Sequence, residues 1–311
     1  MDVFAGHGAL TRALHRPAIA IGNFDGVHRG HGALIARARE LAAPGGGEAV
    51  VLSFDPHPVQ VLAPHVAPTM ITTLARKLEL LATAGADAVI VEPFTPALAA
   101  LTADAFVDEV LAGACGVRHV VVGGDFTYGK GRGGNIDTLA AAGARHGFEV
   151  AVVAPVTVDG ELASSTRVRG YLRGGDLARA TALLGRPYDV DGVVVRGASR
   201  GKGLGIPTAN VHTDGDLLAR SGIYAVTLAH PTDGRPLPAV ASLGTNPTFV
   251  DGGALVLEVH VLDFDEDLYD RRVRVGFIGR LRDEARFDSV EALLAQIHAD
   301  IAAARALFAA A

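Results

Sequence analysis

The chain has 311 residues, long for a single core and suited to about two domains. With 49% hydrophobic and 20% charged residues it reads as a folded globular protein, and its net charge of −6 argues against nucleic acid as the main partner, because that affinity rests on phosphate neutralisation by Lys and Arg. The single cysteine, Cys115, excludes an intrachain disulfide or a multi-cysteine metal site and reads as a small packed residue. Asp2, Arg12 and Arg16 flank no apolar segment, so no signal peptide is expected. No stretch is expected to reach the ~18 apolar residues of a membrane span, so the expected address is the cytoplasm, with no membrane partner.

Ala18-Ile19-Ala20-Ile21 suits a buried parallel strand, and Leu34, Ile35, Ala38, Leu41 and Ala42 recur beyond it at helical spacing. Between them lies Gly22-Asn23-Phe24-Asp25-Gly26-Val27-His28-Arg29-Gly30-His31, with Asp25-Gly26 as the turn. Free N–H groups at a helix start favour an anion such as a triphosphate. His28 and His31, three apart, share a side and can donate to charge as it moves along that anion. Further strands are expected at 49–54, 88–91, 119–122 and 150–153, with helices over 72–83, 105–111 and 136–145. This alternation implies a mostly parallel sheet covered on both faces, with ligands beyond the carboxyl ends of the strands.

Asp55-Pro56-His57-Pro58 follows the second of these strands as a stiffened turn, which either is only that or sets His57 against a ligand ring. After the fourth comes Gly123-Gly124-Asp125-Phe126-Thr127-Tyr128 and a glycine-rich loop. There Gly129, Gly131 and Gly134 satisfy G-x-G-x-x-G, and Glu149 follows at a spacing suited to a ribose contact, so a dinucleotide-binding oxidoreductase is an alternative. Against it, that fingerprint normally opens the first βαβ unit, and here a long loop precedes the helix. Ser164-Ser165-Thr166-Arg167-Val168-Arg169 opens a short helix stopped at Gly174-Gly175, with the serines as caps or, beside Arg167 and Arg169, as part of a phosphate clamp. Asp176 caps a helix to Leu184, and Gly185 ends it; a domain boundary is expected there, giving 1–185 and 186–311.

The second half changes to short β-rich runs at 192–195, 223–228, 240–243, 255–262 and 273–277, the pattern of a small antiparallel barrel. A last helix over 290–307, with Leu293, Leu294, Ile297 and Ile301 as its stripe, is expected to close one side. The stretch from Arg196 to Asn210 combines glycines with Arg200 and Lys202 and ends in Thr208 and Asn210, whose oxygens are of the kind Mg²⁺ accepts. A basic surface loop is the plainer reading. No Walker A sequence occurs, so a kinase here cannot use the ordinary P-loop. Glu258 lies opposite the apolar face of Leu255, Leu257, Val259 and Val261, where a carboxylate needs solvent or a partner.

The Gly22–His31 string and Phe54-Asp55-Pro56-His57-Pro58 resemble the adenylyltransferase half of the prokaryotic bifunctional riboflavin kinase/FAD synthetase family, and Ser165-Thr166-Arg167 resembles its second ATP motif. Gly205-Ile206-Pro207-Thr208-Ala209-Asn210 is similar to its flavokinase motif, with Ile206 where Phe is usual, and Gly244 to Phe249 and Leu262-Asp263-Phe264 match as well. The resemblance spans roughly residues 17 to 308 in order. It implies an α/β fold with an N-terminal Rossmann-like nucleotidyltransferase domain, then a small antiparallel β-barrel flavokinase domain with a C-terminal helix. In the first domain it implies ATP binding by Gly22, Asn23, Phe24, Asp25, Gly26, His28, His31, Ser165, Thr166 and Arg167, and flavin binding by His57, Asp125 and Phe126. In the second it implies ATP binding by Gly201, Lys202, Gly203, Thr208 and Asn210, Mg²⁺ on Thr208 and Asn210, Glu258 as base, and flavin contacts from Arg282, Glu284 and Phe287. Riboflavin, FMN and ATP are the implied small-molecule substrates. The reading is compatible with a homo-oligomer.

Overall fold

A computed structural model describes residues 1–196, 205–245 and 255–310. By its internal contacts the chain forms two compact units, Met1–Ser164 and Ser165–Ala311.

In the first unit, β2 (Ala18–Ile21), β3 (Ala49–Asp55), β4 (Ala88–Pro93), β5 (His119–Gly123) and β6 (Glu149–Val153) fall where the apolar runs place them. An edge strand, β1 (Asp2–Phe4), is added beside β4. At three residues it is too short to stand out as a run. The parallel order is β1-β4-β3-β2-β5-β6. Alternate residues of β2 serve opposite faces: Ile19 and Ile21 enter one core cluster with Leu52, Val110 and Leu139, whereas Ala18 and Ala20 enter the other with Ile35, Val51 and Leu81. The second cluster includes residues of α1 (Arg29–Ala42) and α3 (Leu74–Thr83). The first includes those of α6 (Ile136–His146) and of a helix that starts as α5 (Ala103–Ala105) and runs on in π geometry over Phe106–Ala114. Each fully buried Leu or Ile here contributes about 1.5–3 kcal/mol. Two short helices, α2 (Pro58–Leu62) and α4 (Pro96–Ala99), follow β3 and β4, and a hairpin of β7 (Thr157–Val158) and β8 (Glu161–Leu162) ends the unit. Cys115 is packed in the first cluster, and burial pushes its thiol up to about 12.

The strand order sets the location of any ligand. From β2 the chain steps one way through β3 and β4, then returns to the other side of β2 for β5 and β6. The reversal leaves a crevice at the carboxyl end of β2, where the Gly22–His31 string begins.

The second unit opens with α7 (Ser165–Gly174) and α8 (Leu177–Leu184), the latter capped by Asp176 and ended by Gly185 in left-handed conformation. This helix pair is grouped with the barrel because α8 packs on β9 and β14. β9 (Tyr188–Val195), β10 (Ala209–Thr213), β11 (Gly222–Ala229), β12 (Pro236–Thr245), β13 (Leu255–Val261) and β14 (Arg272–Arg282) close as β10-β13-β12-β11-β14-β9. β10 is the barrel strand the sequence reading lacks. Its Thr-Ala-Asn start reads as motif rather than strand. Tyr188, Tyr224, Phe277, Leu257 and Val259 are fully buried in this unit, with Tyr224 edge-on to Phe277 at 5.2 Å.

The last helix, α9 (Val290–Ala310), covers one side of the barrel, which itself closes through its own strand pairs. It packs outside, setting Ala304, Ile301 and Phe308 against Ala225 and Val240. By length and composition it is the one described helix that could cross a membrane, with mean hydropathy 1.3 over its most apolar 18-residue window. Glu291, Gln296, His298, Asp300 and Arg305 interrupt it, so it is not an unbroken apolar run. Asp300, buried, ties it to Arg282 of β14 through three hydrogen bonds of 2.7–3.1 Å.

Candidate active sites

At the crevice of the first unit the chain leaves β2 through a strained turn: Phe24, Gly26 and Val27 all have positive φ, at 50°, 78° and 40°. Three contacts hold that turn. Phe24 is fully buried against the second core cluster. Asp25, 1% exposed, accepts the Ile71 N–H at 2.9 and 3.1 Å and the Thr72 N–H at 3.2 Å. The Gly26 N–H donates to Thr72 Oγ1 at 3.2 Å, and Ile71 packs so closely over Gly26 that a Cβ would stand 2.9 Å from it. Asp25 therefore braces the segment before α3, a role that its place in the motif does not reveal.

His28 and His31 open α1 as a reciprocal cap: His31 N–H donates to His28 Nδ1 at 3.4 Å, and His28 N–H to His31 Nδ1 at 3.3 Å. Their rings stack at 3.6 Å. A ring nitrogen that accepts carries no proton, so each neutral imidazole holds its proton on Nε2 and presents it as a donor. Gly30 leaves room for this fold-back, since a Cβ there would lie 3.0 Å from the His28 ring. Burial, then the nearby His28 and Lys77, lower His31 well below the ordinary histidine range. The pair is a neutral two-donor surface.

His57 caps α2, its Nδ1 accepting the Val59 N–H at 3.2 Å, so one nitrogen serves the turn. Past β5, Asp125 is exposed, and Phe126 stacks on the buried Tyr128 with centroids 5.6 Å apart. The glycine loop closes on itself: Tyr128 and Gly134 exchange backbone hydrogen bonds at 3.1 and 2.9 Å, and α6 begins only at an Asn135 cap. A side chain at Gly134 would strike the Tyr128 ring at 2.6 Å. These glycines permit a tight loop: Gly129 precedes only a single 3-10 turn, Lys130–Arg132, and none opens an α-helix, which removes the structural context the dinucleotide alternative needs. Ser165, Thr166 and Arg167 form the first turn of α7 in the second unit, with Ser165 half-buried and the other two exposed, while Arg169 is buried.

On the barrel the candidate groups share a row. Asn210 of β10 pairs with Glu258 of β13, which pairs with Ser242 of β12, and directly paired residues point to the same face. That face is the outer one, since Leu257 and Val259 on either side of Glu258 are fully buried. Thr208 stands two residues before Asn210, half-buried, and the carbonyl of Pro207 beside it accepts from His260 Nδ1 at 2.7 Å. Gly201, Lys202 and Gly203, like Asn246 to Phe249, lie outside the described residues. Arg282 commits its guanidinium to Asp300, to the Asp283 carbonyl and to the ring of Phe287 at 5.8 Å. Glu284 is exposed and lies over Gly244 so closely that a Cβ there would collide with its carboxylate.

Two family models match the chain, FAD synthetase over residues 10–167 and riboflavin kinase over residues 184–308. A bifunctional riboflavin kinase/FMN adenylyltransferase of Pseudomonas fluorescens is 44% identical over 95% of this chain and 94% of its own. The chain belongs to that family. The protein of the same description in Escherichia coli K12 is 40% identical over 93% of this chain and 92% of its own. Among solved structures, one described as a macrolide-efflux protein from Streptococcus pneumoniae shares the fold over 97% of this chain and 98% of its own, at 29% identity and a TM-score of 0.86. The transport named there is said of that protein.

The first family model runs to residue 167 and so takes in Ser165, Thr166 and Arg167, while the second begins at the end of α8. Sequence reasoning passed over two groups. Lys77 is 4% exposed beneath the strained turn, and its signal is a lysine at an apolar position of the stripe Leu74, Leu78, Leu81. His260, two residues from Glu258 on the same face of β13, belongs to no motif.

Proposed function

We propose that this chain phosphorylates riboflavin to FMN with one ATP and adenylylates FMN to FAD with a second, releasing pyrophosphate. We assign the second step to residues 1–185 and the first to 186–311, which keeps the α7 motif with adenylyl transfer although its contacts are those of the barrel unit. The observation that carries the reading is the coincidence of two family matches, together spanning most of the chain, with two separate clusters of suitable chemistry.

In adenylyl transfer the FMN phosphate is already ionised and needs no base. It attacks the α-phosphorus of ATP while pyrophosphate leaves. The Nε2–H groups of His28 and His31 donate to oxygens on which charge grows, and donors held in place by their own cap need no rearrangement. Gly22, Asn23, Phe24, Asp25 and Gly26 shape the turn that receives the nucleotide; Ser165, Thr166 and Arg167 contribute hydroxyls and a guanidinium for phosphate. His57, Asp125 and Phe126 are assigned to the flavin side.

In the kinase step, Glu258 takes the proton of the ribityl 5′-hydroxyl as that oxygen attacks the γ-phosphorus of ATP. Gly201, Lys202 and Gly203 are assigned to the phosphates, and Glu284 and Phe287 to the flavin, with Arg282 holding Phe287. The donor set fits Mg²⁺, which binds through one or two protein oxygens together with phosphates: Thr208 and Asn210 offer a hydroxyl and an amide oxygen beside Glu258. Bound there with ATP, Mg²⁺ would neutralise charge developing on the phosphates. ATP as donor in both steps supports a cytoplasmic address.

The test is a time course with riboflavin, ATP and Mg²⁺, resolving riboflavin, FMN and FAD, beside a reaction begun from FMN. FMN followed by FAD is the expected result. FAD from FMN with nothing from riboflavin would remove the kinase, and no product in either reaction would overturn the proposal.

A further inference from the structure

Beneath the turn that carries His28 and His31 lies an ammonium group that the chemistry above leaves unused. Lys77 of α3 is 4% exposed, and its Nζ donates to Ser53 Oγ at 3.2 Å, to the Phe54 carbonyl at 3.4 Å and to the Asn23 carbonyl at 3.5 Å. Ser53, fully buried, donates in turn to the Asn23 carbonyl at 3.1 Å. Every one of these acceptors is neutral. Asp55 and Asp25 act on Lys77 through space, yet the Asp25 oxygens are engaged by the N–H groups of Ile71 and Thr72, and no carboxylate pairs with Nζ among the described residues. Burial accordingly draws the ammonium below the ordinary lysine range.

A cation withdrawn from water without an ion-pair partner is costly, and an apolar side chain would continue the stripe of α3 at no such cost. The charge sits at the carboxyl ends of β2 and β3, on the rim of the crevice where the strand order reverses. A cation kept unpaired at such a place has its counter-charge brought by the ligand.

We propose that Lys77 is a positioning residue for adenylyl transfer: it ties the ends of β2 and β3 through the Asn23 and Phe54 carbonyls, and it supplies from below the positive charge that the nucleotide's phosphates answer. The inference rests on the reading of the His28–His31 cluster as the adenylyl-transfer site.

Lys77→Gln keeps a hydrogen-bond donor and removes the charge, and Lys77→Arg keeps the charge. Each full-length variant is assayed for FAD from supplied FMN over a range of ATP, for FMN from riboflavin, and for thermal midpoint. Lys77→Gln is expected to raise the KM for ATP and lower the adenylyl rate, together about 10–100-fold in kcat/KM, while Lys77→Arg retains more activity than Lys77→Gln. Riboflavin phosphorylation and the thermal midpoint of Lys77→Gln should not fall, because a costly unpaired charge has been removed. Unchanged kcat/KM for ATP in Lys77→Gln would overturn the proposal, as would a lowered midpoint with both activities reduced alike, the mark of a purely structural lysine. A separate arm, His28→Ala with His31→Ala, tests the underlying reading: FAD formation that survives that double change removes the site itself, whatever Lys77 does.

Discussion

In the α/β unit the candidate groups stand at strand ends and are held from below by buried hydrogen bonds, whereas on the barrel they stand across neighbouring strands and are held by register. Asp25, Ser53 and Lys77 sit under the first site at 4% exposure or less. Asn210, Glu258 and Ser242 are all half-buried on an outer face. A site assembled at a strained turn needs a polar foundation. A site assembled on a closed ladder gets its geometry from pairing that the barrel core already enforces.

The comparison breaks first if the two sites are not chemically separate. Glu258→Gln should lower riboflavin phosphorylation by about 10²–10⁴-fold, as expected for loss of a general base, with FAD formation from supplied FMN unchanged. A parallel fall in both activities would join the sites in one function. The double change His28→Ala, His31→Ala should do the reverse, lowering adenylyl transfer by about 10²–10³-fold through loss of two placed donors. Kinase loss with intact FAD formation in that variant would exchange the two assignments.

Stability changes sharpen the contrast between foundations. Asp300→Ala leaves the guanidinium of Arg282 without its carboxylate, and should cost about 3–5 kcal/mol in urea unfolding with α9 loosened from the barrel. Asp25→Ala removes the acceptor for two buried N–H groups and should cost about 2–3 kcal/mol. If Asp25→Ala instead left stability intact and abolished ATP use alone, the carboxylate would be a ligand group rather than a brace for the turn.

The strands of the parallel sheet were legible because buried parallel strands read as unbroken apolar runs such as Val50-Val51-Leu52. The barrel strand β10 was not, since Ala209-Asn210-Val211-His212-Thr213 alternates too weakly and its pairing with β9 and β13 is entirely long-range. Within the sites, the motifs named the right neighbourhood without separating the roles inside it. Asp25 and His57 also brace a loop and cap a helix, roles hidden from a short string because it shows which residue types are present and not which N–H groups the fold delivers to them. Lys77 was hidden for the opposite reason. It belongs to no motif and reaches the ends of β2 and β3 from α3, far along the chain from the His28–His31 string.

The smallest effect tests the tautomer argument. His31 is held below the ordinary histidine range by burial, with the repulsion that a protonated His28 and Lys77 would add, and its Nδ1 is occupied as an acceptor, so protonating that nitrogen breaks the cap. The unfolded chain takes up this proton near pH 6.5 and the folded one does so only at lower pH. Stability from this group is therefore complete above about pH 6.5 and declines as pH falls below it, by at most about 1.4 kcal/mol per pH unit. His31→Gln keeps a side-chain acceptor at the third position of the helix and cannot titrate. Its unfolding free energy should lose less than that of the unaltered chain between pH 7 and pH 5. Equal losses in the two proteins would mean that His31 takes up its proton alike in the folded and unfolded chain, and the neutral two-donor surface would no longer follow from the cap.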